Sequence, residues 1–121
     1  MSMLKILTPV LLLISTSAFA LDPAYVGHWA LDTEACRVSK EYPETFPGFR
    51  ITPTGMTTYN TRCSFSQQTR DGDGWKVRLS CVLVEGGKST DNLRWQIMPD
   101  GRLRETQQNR KTNDYVRCGA R

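Results

Sequence analysis

From Phe49 onward, apolar side chains fall on alternate positions in short runs. Trp75, Val77, Leu79, Cys81 and Leu83 share one parity, with Lys76, Arg78, Ser80 and Val82 between them. A period of two sends these sets to opposite faces of a half-buried β-strand. The run "NLRWQIM" repeats the pattern, with Leu93, Trp95 and Ile97 on one side and Arg94 and Gln96 on the other. Tyr59, Cys63 and Phe65 give a third apolar row, and Phe49 with Ile51 a shorter fourth.

Turn-forming clusters separate these runs: "TPTG" at 52–55, "DGDG" at 71–74, "EGGK" at 85–88, "PDG" at 99–101 and "NRKTN" at 109–113. Gly, Pro, Asp and Asn favour the backbone conformations that reverse a chain between antiparallel strands. Only residues 33–39 suggest a helical turn, capped by Asp32 or Thr33 and with Glu34 placed early, where the helix dipole favours an acid. A twisted sheet with one apolar face must close on itself or be covered, and no long amphipathic helix is present to cover it. The expected fold is therefore all-β, a small antiparallel up-and-down barrel of six to eight strands. A two-sheet sandwich is the alternative. No repeat, low-complexity tract or linker divides the chain.

The first twenty residues follow a different pattern. Lys5 precedes the apolar run "ILTPVLLLIS", which is short for a bilayer span, and Ala18-Phe19-Ala20 supplies the small residues a signal peptidase needs. Residues 1–20 read as a signal peptide and 21–121 as one exported domain, periplasmic or secreted, with no membrane span. A domain of this size buries a modest share of its surface, and covalent staples would help it.

Cys36, Cys63, Cys81 and Cys118 are four cysteines in an exported chain, a number that pairs into two disulfides. Zinc is the competing use, but there is no Cys-x-x-Cys, and His28 is the one histidine. Pairing the strands about "DGDG" sets Cys63 opposite Cys81 on the apolar side. Cys36 and Cys118 then remain for each other, and that bridge would tie the segment after the first strand to the last strand, as barrel closure requires. The rival map joins Cys36 to Cys63 and Cys81 to Cys118.

Gly27-His28-Trp29 on the first strand, followed by a cysteine, later by "LRWQIMPDGRL" and finally by "YVRC", resembles the small lipocalin-like barrel proteins of the proteobacterial periplasm. That group includes the Inh-type inhibitors of secreted metalloproteases. The resemblance implies an eight-stranded barrel whose floor is closed by Trp29, with one disulfide and an N-terminal arm that enters a protease cleft. This chain differs in having a second cysteine pair and a short arm, "LDPAYV". Independently of the resemblance, a lone tryptophan on a strand is a core residue in most settings.

Candidates for catalysis are thin. His28 has the parity opposite to Trp29 and should face solvent. Asp71-Gly72-Asp73-Gly74 begins like a calcium loop, but Trp75 and Val82 stand where further oxygen ligands are needed. No phosphate-binding, dinucleotide or nucleophile-elbow motif occurs, so neither a cofactor nor an enzymatic activity is expected.

Charge is more informative. Residues 62–121 hold twelve basic and seven acidic side chains, whereas 21–61 hold three and five. Continued alternation through the last hairpins would set Arg78 opposite Arg94 and Arg94 opposite Arg104, with Lys76 and Arg102 nearby. Like charges facing across strands repel, so such a row costs stability unless something anionic sits against it; the competing reading is of solvated arginines that keep the outer face from aggregating, softened by Asp91, Glu105 and salt. Two functions are expected on this basis. One is a binding module for a protein partner, such as an inhibitor of a secreted or invading hydrolase. The other is an outer face for an anionic envelope component such as polysaccharide or lipopolysaccharide. Nucleic acid is not expected, because the basic stretch lacks interleaved aromatics.

Overall fold

A computed structural model describes residues 21–42 and 47–119; the expected signal peptide lies outside them. A 3-10 turn over Pro23–Tyr25 leads into β1 (Gly27–Ala30) and α1 (Thr33–Glu41). The remaining strands are β2 (Phe49–Thr52), β3 (Gly55–Thr57), β4 (Thr61–Asp71), β5 (Gly74–Leu83), β6 (Lys88–Ile97), β7 (Leu103–Gln107) and β8 (Thr112–Arg117). Each pairs antiparallel with the next, and β8 returns to β1 through Trp29↔Arg117 and Ala30↔Val116, closing an eight-stranded barrel.

Both expected disulfides are present. Cys63 and Cys81 face each other across β4 and β5, and Cys36 of α1 bonds Cys118 just beyond β8. The first depends on a compensation that the sequence did not reveal. Asp71 pairs with Gly74 across a two-residue turn, a register that, continued straight, would set Cys63 opposite Val82. A bulge between Phe65 and Gln67 absorbs one residue and restores Cys63↔Cys81.

Alternating strand direction collects the turns 53–54, 72–73 and 98–102 at one end, beside the 3-10 turn. The connections 58–60, 84–87 and 108–111 collect at the other. The first end is closed. Asp22 caps the 3-10 turn by accepting from the Ala24 N–H at 2.9 Å, and Leu21 and Tyr25 are buried against the barrel. The Leu21 N–H donates to Gln68 Oε1 at 3.0 Å, and Trp29 Nε1–H donates to the Tyr25 carbonyl at 3.0 Å.

The expected apolar rows do meet in one interior. Trp29, Trp75, Trp95, Ile51, Val77, Leu79 and Leu103 are all buried there, with Phe49 stacked 6.4 Å from Trp95. Tyr59 departs from expectation. It lies in the loop before β4 begins and is 65% exposed, so the third row is Cys63 and Phe65 without it. The helical turn extends to Glu41 and takes its N-cap from Asp32, whose carboxylate accepts the Ala35 N–H at 2.8 Å. Helix α1 packs on the outside of β1 and places Ser39 Oγ 3.5 Å from His28 Nε2. His28 faces outward as expected, but it is half-buried under the helix, and burial lowers its pKa, with the nearby Arg50 charge acting in the same direction.

Candidate functional site

The outer face of β4–β7 carries the basic residues singled out from the sequence, in a different register. Lys76, not Arg78, stands opposite Arg94; Arg78 faces Asn92, Arg94 faces Thr106, and Arg104 faces Gln96 and Asp114. The continuous row of Arg78, Arg94 and Arg104 is therefore not formed. Both displacements are of two residues, which keeps every side chain on its expected face but changes its neighbour. The β5–β6 reversal is centred on Glu85 because Gly86 and Gly87, with φ of 103° and 105°, both lie on its downstream side. The β6–β7 reversal is a three-residue loop closed by Met98 N–H to the Arg102 carbonyl at 2.8 Å, with Gly101 at φ 90°.

Two of the three arginines are neutralised within the protein. Arg94 Nε donates to Asp71 Oδ2 at 2.8 Å, and Arg104 Nε to Asp114 Oδ1 at 2.9 Å. These bonds hold the Asp71 and Asp114 carboxyls below their usual range. Arg102 reaches Asp100 at 3.5 Å. Lys76 and Arg78 are exposed and make no ion pair among the described residues. They border an open groove of about 550 Å³ with Gln67, Thr69, Asn92 and Thr106.

A second surface, not anticipated from the alternation, lies at the rim of the open end. Val84 at the β5–β6 tip is 75% exposed, and its N–H donates at 2.9 Å to the carbonyl of Asn60, next to Tyr59. Just below the tip, Arg62, Val82 and Lys88 form one outward row across β4, β5 and β6. Val82 is half exposed between the two cations. The signal lay in "CVLVEGG", where Val82 and Val84 carry the solvent-facing parity.

Inside the rim the barrel opens into a cavity of about 530 Å³, lined by Phe49, Met56, Leu93, Asp91, Glu105 and Gln107. Glu105 is the one buried acid among the described residues, 8% exposed, and its Oε1 accepts Trp95 Nε1–H at 3.0 Å. Burial raises its pKa, and the negative charge of Asp91 adds to that effect. Burial pushes the Tyr115 hydroxyl, on β8, up to about 12. Among the described residues no group of three or more His, Cys, Asp or Glu side chains is placed to hold a metal ion.

Trp29, expected in the core, is fully buried near the closed end. Its partner was not foreseen: the Arg117 guanidinium lies 4.3 Å from the Trp29 ring centroid and donates to the carbonyls of Val26 and Ala24. No family model matches this chain, and no curated protein or solved structure matches it either.

Proposed function

We propose that this chain is an exported, non-catalytic binding module that docks a protein partner through the rim of its open end. The observation that supports the reading best is the exposure of Val84 and of Tyr59, on segments joined by the Val84 N–H bond to the Asn60 carbonyl, near the outward row of Arg62, Val82 and Lys88. Apolar side chains at a hairpin tip cost solvation free energy in the unbound protein, and tyrosine and arginine are both enriched among the residues that anchor interfaces. The tip is held by backbone hydrogen bonds from Gly86 N–H to the Leu83 carbonyl and from Leu83 N–H to the Gly87 carbonyl, so it is presented in one shape. A hydrolase whose cleft admits this hairpin would be inhibited by it, in keeping with the Inh-like resemblance of the Gly27-His28-Trp29 opening.

The test is affinity capture from periplasm or conditioned medium, followed by titration of the captured protein against the wild type and a Tyr59→Ala/Val84→Asp variant. Loss of about tenfold or more in affinity is expected, the scale of a truncated interface anchor. Capture of the same proteins with equal affinity by both forms would remove the rim from consideration.

A second reading rests on the groove beside Lys76 and Arg78, two cations that make no ion pair among the described residues. It would engage an anionic envelope component. A Lys76→Ala/Arg78→Ala variant should elute from immobilised heparin or lipopolysaccharide at lower salt than the wild type, and unchanged elution rejects this reading.

A further inference from the structure

The three tryptophans fill the closed half of the barrel and leave the mouth open. At the floor of that mouth stands Glu105, buried and with no basic side chain paired to it among the described residues. One oxygen is satisfied by Trp95. Every fully buried side-chain nitrogen or oxygen among the described residues has a hydrogen-bond partner, so the unbonded Oε2 must be reached from the cavity it lines. The inward positions around it offer no cation: Trp95 and Asp91 on β6, Gln107 on β7, and Asn113 and Tyr115 on β8. Arg117, the inward-turned arginine of β8, is committed at the closed end beneath Trp29.

A buried carboxylate without a counter-charge is costly, and at this place an apolar residue or glutamine would pack at less expense. The wall is suited to a cation as well. Phe49 meets Tyr115 edge-on with centroids 4.8 Å apart and also borders the cavity, so an aromatic surface lies beside the acid. Asp91, exposed and lining the same cavity, adds a second negative charge. The volume suits a small molecule, and Met56 and Leu93 supply apolar wall.

We propose that the barrel mouth binds a small organic cation with an apolar body, its ammonium group paired with Glu105 and its body against Phe49, Met56 and Leu93. This site opens inside the rim and shares Thr58, Gln108 and Asn109 of its connections, but its ligand is a small molecule and its test needs no docked protein. A bare divalent metal fits less well: Glu105 and Asp91 are the two carboxylates lining the cavity, where the rest of the wall is neutral, and among the described residues no three His, Cys, Asp or Glu side chains are grouped to hold a metal ion.

Calorimetric titration of the oxidised, mature chain with benzyltrimethylammonium tests the proposal, with N-benzylacetamide as the uncharged control. The cation should bind and the neutral analogue should bind at least about tenfold more weakly. Glu105→Gln, which preserves shape and the Trp95 hydrogen bond, should cost about tenfold or more in affinity for the cation, with an unchanged circular dichroism spectrum. Asp91→Asn, at the exposed rim of the cavity, should cost roughly two- to threefold. Equal binding of the neutral analogue, equal binding by Glu105→Gln, or no binding of the cation at millimolar concentration would each overturn the proposal.

Discussion

The Arg117 guanidinium lies 4.3 Å from the centre of the Trp29 ring, and the two residues are register partners across the strands that close the barrel. The arginine also donates to the Val26 carbonyl at 2.9 Å and to that of Ala24, joining the last strand to the segment that plugs the floor. Gly27 makes room for this side chain, since a β-carbon there, at φ 148°, would collide with Arg117 Nη1.

Arg117→Met should therefore lower stability by roughly 2 kcal/mol, through loss of a partly desolvated cation–π contact and of donors to two carbonyls. Gly27→Ala should do comparable damage by displacing the same side chain from an unfavourable backbone conformation. Urea midpoints of the oxidised proteins measure both, and a change under about 0.5 kcal/mol, the range of ordinary surface substitutions, would show that the floor does not rely on this arginine.

Glu105 sets a pH dependence opposite to that of most acidic residues. Burial raises its pKa in the folded state, so the folded protein holds this proton more tightly than the unfolded chain does. Its contribution is most favourable below the ordinary carboxylate range and declines as pH rises through the raised folded value. Asp71 and Asp114, lowered by their arginines, act in the opposite sense: their contribution is present at neutral pH and is lost on acidification. Glu105→Gln should thus be more stable than the wild type at pH 7, by about 1–2 kcal/mol, with the gain vanishing at low pH. Thermal melts at several pH values read this directly, and an equal gain at every pH would show that the carboxylate charge is not responsible.

The two disulfides should differ in weight. Cys36–Cys118 spans 82 residues and Cys63–Cys81 spans 18, so the chain-entropy argument assigns about 4.5 and about 3 kcal/mol. Paired Cys→Ala replacements, compared by denaturant titration, should show the larger loss for the long-range bridge. The opposite order would mean that strain or residual unfolded-state structure outweighs loop length.

Cleavage after Ala20 should leave Leu21 as the first residue, with its new amino group beside Gln68 Oε1, 3.0 Å from the Leu21 nitrogen. Intact-mass measurement of exported protein checks the cleavage position. Gln68→Ala should loosen the buried Leu21 and lower stability by roughly 1 kcal/mol.

Period-two alternation and reversal signals sufficed for the barrel because burial is decided by parity, and parity survives a two-residue slip. Neighbour identity does not survive it, which is why Arg94 meets Lys76 and Asp71 instead of Arg78 and Arg104. The Cys63–Cys81 bridge was legible although the bulge near Ser66 was not, because "DGDG" was centred half a residue from its true position and the bulge compensates. Gln68 turning inward and Tyr59 turning outward follow from that bulge and from the loop at 58–60. Alternation alone does not fix such local irregularities. Glu105 carried an inward parity within "RLRETQ", but an acid flanked by polar residues gives no sign of burial until the β6 tryptophan is placed beside it.

The line between β1 and β8 has two register pairs where the longest ladder has ten, and the Cys36–Cys118 bond lies beside it. Reduction of that bond would remove the covalent tie from the shortest ladder of the wall, leaving the last strand held there by two register pairs and by Arg117. Thiol oxidation therefore acts on this architecture as a zip, fastening the helix and the last residues across the edge where the wall has its shortest ladder.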